Sequence, residues 1–233
     1  MTNSMGLDAC RIGWCGIGNY DDELIYGCFE NLETLLQNYP NLQRLLIDIP
    51  IGLSSKDYSR TVDTKARTFL QKRKSSIFSP PCREALQANN YKEALVINNQ
   101  ICDKGISIQA YNIGAKIKAV DDWFIHKPKT LEVYEAHPEL CFKTLNHNTD
   151  LQFSKHDKAG LQERLEILLK HDDKLEALYN AILINYKRYQ VKPDDILDAM
   201  ALHLINHNSK SLKYIEDKNN MDETGKQVRI VYA

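Results

Sequence analysis

Residues 5–20, MGLDACRIGWCGIGNY, constrain this chain most: two short apolar runs parted at Arg11–Gly13 read as strand, tight turn and strand. After a turn at Asp21-Asp22, residues 23–30, ELIYGCFE, read as a third strand, so the chain is expected to open with an antiparallel meander. Asp8 stands inside the first run, beside Leu7, Ala9 and Cys10. A carboxylate there is costly to bury unless hydrogen bonds or a cation compensate it. Two readings follow for Asp8: a strand-end residue satisfied by backbone N–H groups, or the first of several carboxylates that meet around a metal.

Downstream, Asn31 is placed to cap a short helix over 32–39 that Pro40 closes, and 44–49, RLLIDI, has the length and near-continuous apolarity of a strand covered on both faces. Residues 53–129 turn helical and irregular, too long for a simple crossover, and read as an inserted helical layer. LEVYEA at 131–136 is the next strand; helices are expected over 160–170, 174–189 and 195–206. A polar stretch, 213–226, leads to a late edge strand at 227–232, QVRIVY. This order predicts an α/β fold, a single domain over 1–233 with a mixed sheet and a helical insertion at about 53–129.

With 233 residues, 43% hydrophobic and 26% charged, the chain suits one core. The first ten residues lack the basic start and apolar length of a signal peptide, and Asp48 interrupts the longest apolar run, so a cytoplasmic protein away from membranes is expected. Six scattered cysteines form no C-x-x-C pair and read as reduced and structural, without zinc. A formal net charge of −1 means that any affinity for nucleic acid must come from a local patch.

Three further carboxylates sit as oddly as Asp8. Asp48 lies within LLIDIPIGL at the end of a central strand, where α/β sheets place their sites, or else it caps the turn at Pro50. Glu135 ends a strand on the face of Leu131 and Val133, just before His137-Pro138-Glu139. Asp198 lies on a helix that is apolar nearly all round, while Asp194 and Asp195 suit the helix start. Together these acids suggest convergence on one centre, and hard oxygen donors suit Mg²⁺ or Mn²⁺.

The placement of these acids resembles the RNase H-like nucleases: one in the first strand of a meander, one ending the fourth strand, and a last helix bearing aspartates. The closing helix is most similar to that of the RuvC-type resolvases, with Asp195 and Asp198 three residues apart. In order, GLDACRIGW, IDIPIGL, Ala66-Arg67, RKSSIFSPP with Arg83, GISIQ, YEAHPE, SKHDKAGLQER, DDILDA and RIVY resemble the motifs of a bacterial and archaeal family, domain of unknown function 429, described as predicted nucleases of RNase H fold. The resemblance implies a five-stranded mixed sheet flanked by helices and a carboxylate-bound two-metal centre that hydrolyses phosphodiesters. Asp8, Asp48, Glu135 and Asp198 would be catalytic ligands, with Asp195 a further ligand. Arg67, Arg73, Ser75, Ser76 and Arg83 fall to substrate contact by the resemblance; Gln109, Lys116 and His137 join them on sequence pattern alone, with His137 reading first as a histidine hydrogen-bonded beside a strand end. Nucleic acid of unspecified type is the implied partner, and a homodimer is left open. No evident counterpart follows the third strand for the acid that RNase H proper carries on its next helix, which brings the ligand set closer to the resolvases.

Two other functions compete. A phosphotransferase of the actin and sugar-kinase type shares the opening strand and Asp, but Ala9-Cys10-Arg11 replaces its Gly-Thr or Gly-Ser phosphate loop. A catalytically inactive nucleic-acid-binding or scaffold protein would retain the fold and lose turnover. The basic segment 60–83 either binds phosphates or forms an ordinary solvated helix face, and Lys155 and Arg164 read as structural ion-pair partners.

Overall fold

A computed structural model describes residues 2–208 and 212–233. The chain divides into two compact units: residues up to Asp48 with Pro128–Lys213 and Val231–Ala233, and Ile49–Lys127 with Tyr214–Ile230.

The first unit is built on β1 (Ser4–Cys10), β2 (Gly13–Tyr20), β3 (Glu23–Phe29), β4 (Arg44–Ile47) and β5 (Glu132–Ala136), in the spatial order β3-β2-β1-β4-β5. The meander is antiparallel, and β1, β4 and β5 run parallel. Each hairpin turn has two residues. Gly13 adopts φ +132, and a Cβ there would lie 2.0 Å from the Phe29 carbonyl oxygen. Asp21 and Asp22 both take positive φ, the geometry that matches hairpin twist. Asn31 caps α1 (Leu32–Asn38) by accepting from the Thr34 N–H.

Helices α6 (Pro138–Leu145), α7 (Lys158–Leu169), α8 (Lys174–Asn185) and α9 (Pro193–Asn208) complete this unit. Ile196, Leu197, Met200, Leu202 and Leu204 of α9 are all buried, as expected of a helix apolar on every side. It packs across β1, β2 and β4. Gly6 permits this approach, since a Cβ there would sit 2.5 Å from the His203 nitrogen and 2.7 Å from the Ala199 carbonyl oxygen. Asn206 ties the far end: its amide donates to the Met5 carbonyl at 3.0 Å and its oxygen accepts from Arg44 Nε at 2.6 Å.

The second unit takes in the predicted insertion, with α2 (Val62–Leu70), α3 (Tyr91–Cys102), α4 (Ile108–Asn112) and α5 (Gly114–Trp123). It also carries β6 (Tyr214–Met221), while β7 is Gln227–Val231. Here the sequence reading is corrected. The stretch read as polar connection contains a strand, so the described residues hold seven strands rather than five and a terminal edge. The turn between β6 and β7 explains the polarity: Asp222 accepts from the Thr224 and Lys226 N–H groups, and Gly225 takes φ +78. The strand is anchored by a polar side chain rather than an apolar alternation, because Asp217 accepts from the Tyr58 hydroxyl at 2.9 Å and the Thr61 N–H at 2.8 Å. No helix among the described residues is long and apolar enough to cross a membrane.

Candidate functional site

Strand register assembles the acidic site inside the first unit. Leu7 pairs with Ile47, and the Asp48 N–H donates to the Leu7 carbonyl at 2.9 Å, so Asp8 and Asp48 stand side by side at the carboxyl ends of β1 and β4. Side chains alternate along a strand, which puts Asp8 on the Gly6 face, under α9. The helix runs opposite to β1: Asn206 reaches Met5 and Ala199 to His203 cross Gly6, so Asp198, just upstream, falls at Asp8. Asp8 and Asp198 are almost fully buried.

The charges in this cluster oppose one another. Burial, then the charges of Asp48 and Asp198, hold the Asp8 carboxyl well above its ordinary range. Asp48 is also pushed up, chiefly by burial, while His137 and a hydrogen bond from Asp8 work downward. Asp195 is raised to about 6, by burial first, and its carboxylate accepts from the Lys192 N–H at 2.9 Å, closing the first turn of its own helix. The balancing cation is Lys155, whose Nζ lies 2.9 Å from Asp198 Oδ2 and is held charged by Asp198 first, then by Asp8 and Asp48. His137 accepts from the Glu139 N–H at 3.3 Å, capping α6, and its imidazole faces Asp48. One helical turn on, the buried Cys141 thiol is driven upward by burial and by Asp48 and Asp198.

The expected ligands therefore separate. Asp8, Asp48 and Asp198 meet, with Asp195 and His137 alongside. Glu135 pairs with Ile47, so the register sends its side chain to the Leu7 face, opposite Asp8. Alternation within 131–136 fixed its neighbours, Leu131 and Val133, but not the offset of β5 against β4. Lys155, read as an ion-pair partner, is such a partner to a site carboxylate; SKHDK was its signal. Cys141 had none beyond its spacing from His137.

The expected substrate residues other than His137 lie in the second unit. Arg83 departs most from expectation. Its guanidinium engages Asp121 at 2.9 Å, Asp222 at 2.6 Å and Glu223 at 3.0 Å, so it braces that unit. Arg67 donates to the Ile77 carbonyl and to Ser79 Oγ, Ser76 Oγ donates to the Arg73 carbonyl, and Ser75 and Gln109 are exposed. Lys116 lies on α5, half-buried.

As the side chains stand, no three His, Cys, Asp or Glu groups among the described residues form a ready metal cage. The chemistry of the donor set fits a hard cation nonetheless: three oxygen-donor side chains repel one another, and a lysine ammonium neutralises only part of their charge. Lys155 and an arriving ion would compete for Asp198. Were the cluster to hold Mn²⁺, Lys155→Met would bind it about tenfold more tightly than wild type, while melting lower in chelator because Asp198 loses its partner. Unchanged affinity by calorimetry would show that Lys155 does not compete with the ion for Asp198.

A family model described as protein of unknown function, DUF429, matches residues 6–211, a span that contains every carboxylate of the cluster. The chain belongs to the DUF429 family. No curated protein and no solved structure matches it. Within this DUF429 member, the matched span also runs through the inserted helices of the second unit.

Proposed function

We propose that the first unit is a metal-dependent phosphodiesterase, a nuclease of RNase H-like type, with Asp8, Asp48 and Asp198 as ligands for Mg²⁺ or Mn²⁺ and Asp195 beside them. The observation that carries the reading is the convergence of three carboxylates from two adjacent strand ends and a distant helix, in a setting where burial and neighbouring charge disfavour ionisation of Asp8 and Asp48. A fold does not keep such a cluster cheaply, and perturbed carboxylates mark functional sites. Divalent ions held there would activate water and neutralise charge on a phosphodiester. Burial and mutual repulsion make both Asp8 and Asp48 harder to ionise in the ion-free state. His137, facing Asp48, keeps that carboxylate more acidic than burial alone would leave it. Lys155, released from Asp198, would turn its ammonium to a phosphate oxygen.

Ion binding must displace protons from Asp8, Asp48 and Asp195. All three are raised, so ligation is expected to strengthen as pH climbs through about 6. Mn²⁺ affinity should be at least about tenfold tighter at pH 7.5 than at pH 5.0, by calorimetry; a flat profile would detach these carboxylates from the ligand set.

A second reading, a catalytically inactive RNase H-like binding or scaffold protein, is favoured by the Lys155–Asp198 ion pair, which gives the cluster a cation of its own. The experiment is hydrolysis of bis(p-nitrophenyl) phosphate and of single-stranded, duplex and branched DNA and RNA, with Mn²⁺ or with chelator, by wild type and Asp198→Asn. Cleavage that needs both the ion and Asp198 supports the nuclease. Ion binding with no cleavage across the panel supports the scaffold.

A further inference from the structure

The second unit holds a cavity of about 390 Å³ with no role in the carboxylate chemistry. Among its lining residues are Ser59, Arg67, Phe78, Ser79 and Lys104. Its size suits a ligand of nucleotide dimensions.

The charge of the wall is one-sided. Asp63, the acid among the lining residues, is gripped by Arg60 Nε at 3.0 Å and Nη2 at 2.7 Å, and Arg60 is further fixed by the Ile51 and Gly52 carbonyls, both at 2.9 Å. That pair cancels. Arg67 and the exposed Lys104 remain as net positive charge facing a space rich in hydroxyl groups.

The wall is also held in place. Arg67 Nε donates to the Ile77 carbonyl at 2.8 Å and Nη2 to Ser79 Oγ at 2.9 Å, which fixes the plane of the guanidinium. Asn98 accepts from the Cys82 N–H and donates to the Lys104 carbonyl, both at 2.7 Å, so a buried amide pins the backbone of the second cation. Phe78, half-buried, brings an aromatic ring to the same wall. Arg67 also lines a second hollow, of about 540 Å³, with Thr64, Thr68, Gln71, Lys72 and Lys74. A guanidinium shared by the cavity and a more open basic hollow gives a bound phosphate a path from one to the other.

We propose that this cavity binds the phosphate monoester of a nucleotide, with Arg67 and Lys104 on the phosphate and Phe78 against the base or sugar. A monoester carries close to two negative charges at neutral pH, matching the two cations. The same chemistry occurs in a free mononucleotide and in the 5′-phosphorylated end of a strand, which would leave along the hollow lined by Lys72 and Lys74.

The test is calorimetry in chelator, so that it stands apart from the metal reading and can fail without it. AMP, adenosine, inorganic phosphate, and a tetranucleotide with and without its 5′-phosphate are titrated into the full chain, into Lys104→Gln and into Arg67→Gln. Wild type is expected to bind AMP and to ignore adenosine, and each substitution should weaken AMP by about tenfold. Lys104 is exposed, so Lys104→Gln remains informative should Arg67→Gln fail to fold. A phosphorylated tetranucleotide bound more tightly than AMP identifies the strand end as the ligand; one bound no better identifies the free nucleotide. Adenosine binding equal to AMP, no binding of any phosphorylated ligand at millimolar concentration, or unchanged affinity in folded Lys104→Gln overturns the proposal.

Discussion

In chelator at pH 7.5, Asp8→Asn is expected to melt a few degrees above wild type and to have lost the stabilisation that Mn²⁺ gives the native protein. Burial, Asp48 and Asp198 raise the Asp8 carboxyl in the folded state. The native protein thus holds this proton more tightly than the unfolded chain, whose aspartates titrate near 3.9. That advantage is complete below pH 4 and is lost as pH rises through the folded value, so the Asp8 carboxyl opposes folding at neutral pH. Asparagine keeps the shape and removes the charge. A gain of about 1 kcal/mol corresponds to roughly 2–4 °C in a chain of this size. The same change deletes an ionised oxygen donor, and Mn²⁺ affinity should fall about a hundredfold. Melting curves from pH 5 to 8, with chelator and with Mn²⁺, read both effects. A variant that melts below wild type in chelator would mean that Asp8 is held by bonds that favour its charge.

Gly6→Ala should cost about 3 kcal/mol by urea unfolding, the upper end for overpacking. The new methyl meets backbone on two sides, the His203 nitrogen at 2.5 Å and the Ala199 carbonyl oxygen at 2.7 Å, with Leu202 Cβ at 2.7 Å. Backbone in mid-helix has no rotamer to change, so α9 must withdraw from β1. Asp198 rides on that helix next to Ala199, and its retreat from Asp8 should weaken Mn²⁺ binding in parallel with stability. Gly105→Ala is the control, since its Cβ would meet Leu95 Cδ1 at an ordinary 3.6 Å. A loss at Gly6 no larger than at Gly105 would show that α9 is free to shift.

The elements that announced themselves in the sequence are those held by apolar pattern and turn chemistry. The meander followed from Gly13 and Asp21-Asp22, and α9 from its all-round apolarity, which also singled out Asp198. What escaped the sequence depends on pairing across distance. Glu135 alternates with its neighbours as expected, but its face relative to Asp8 is set by the register of β5 on β4, which no local pattern encodes. The strand Tyr214–Met221 is fixed by Asp217 hydrogen bonds to residues more than 150 positions away, so its composition read as a polar linker. Arg83 looked like part of a basic run because its acidic partners, Asp121, Asp222 and Glu223, come from later in the chain.

The most direct measurement is a calorimetric titration of Mn²⁺ into wild type, Asp8→Asn, Asp48→Asn and Asp198→Asn at pH 7.5, each confirmed folded by circular dichroism. One shared centre predicts that wild type binds and that each substitution weakens binding at least about tenfold. Wild-type binding that all three variants retain, or no binding by wild type even with nucleic acid present, would contradict a metal centre at these carboxylates.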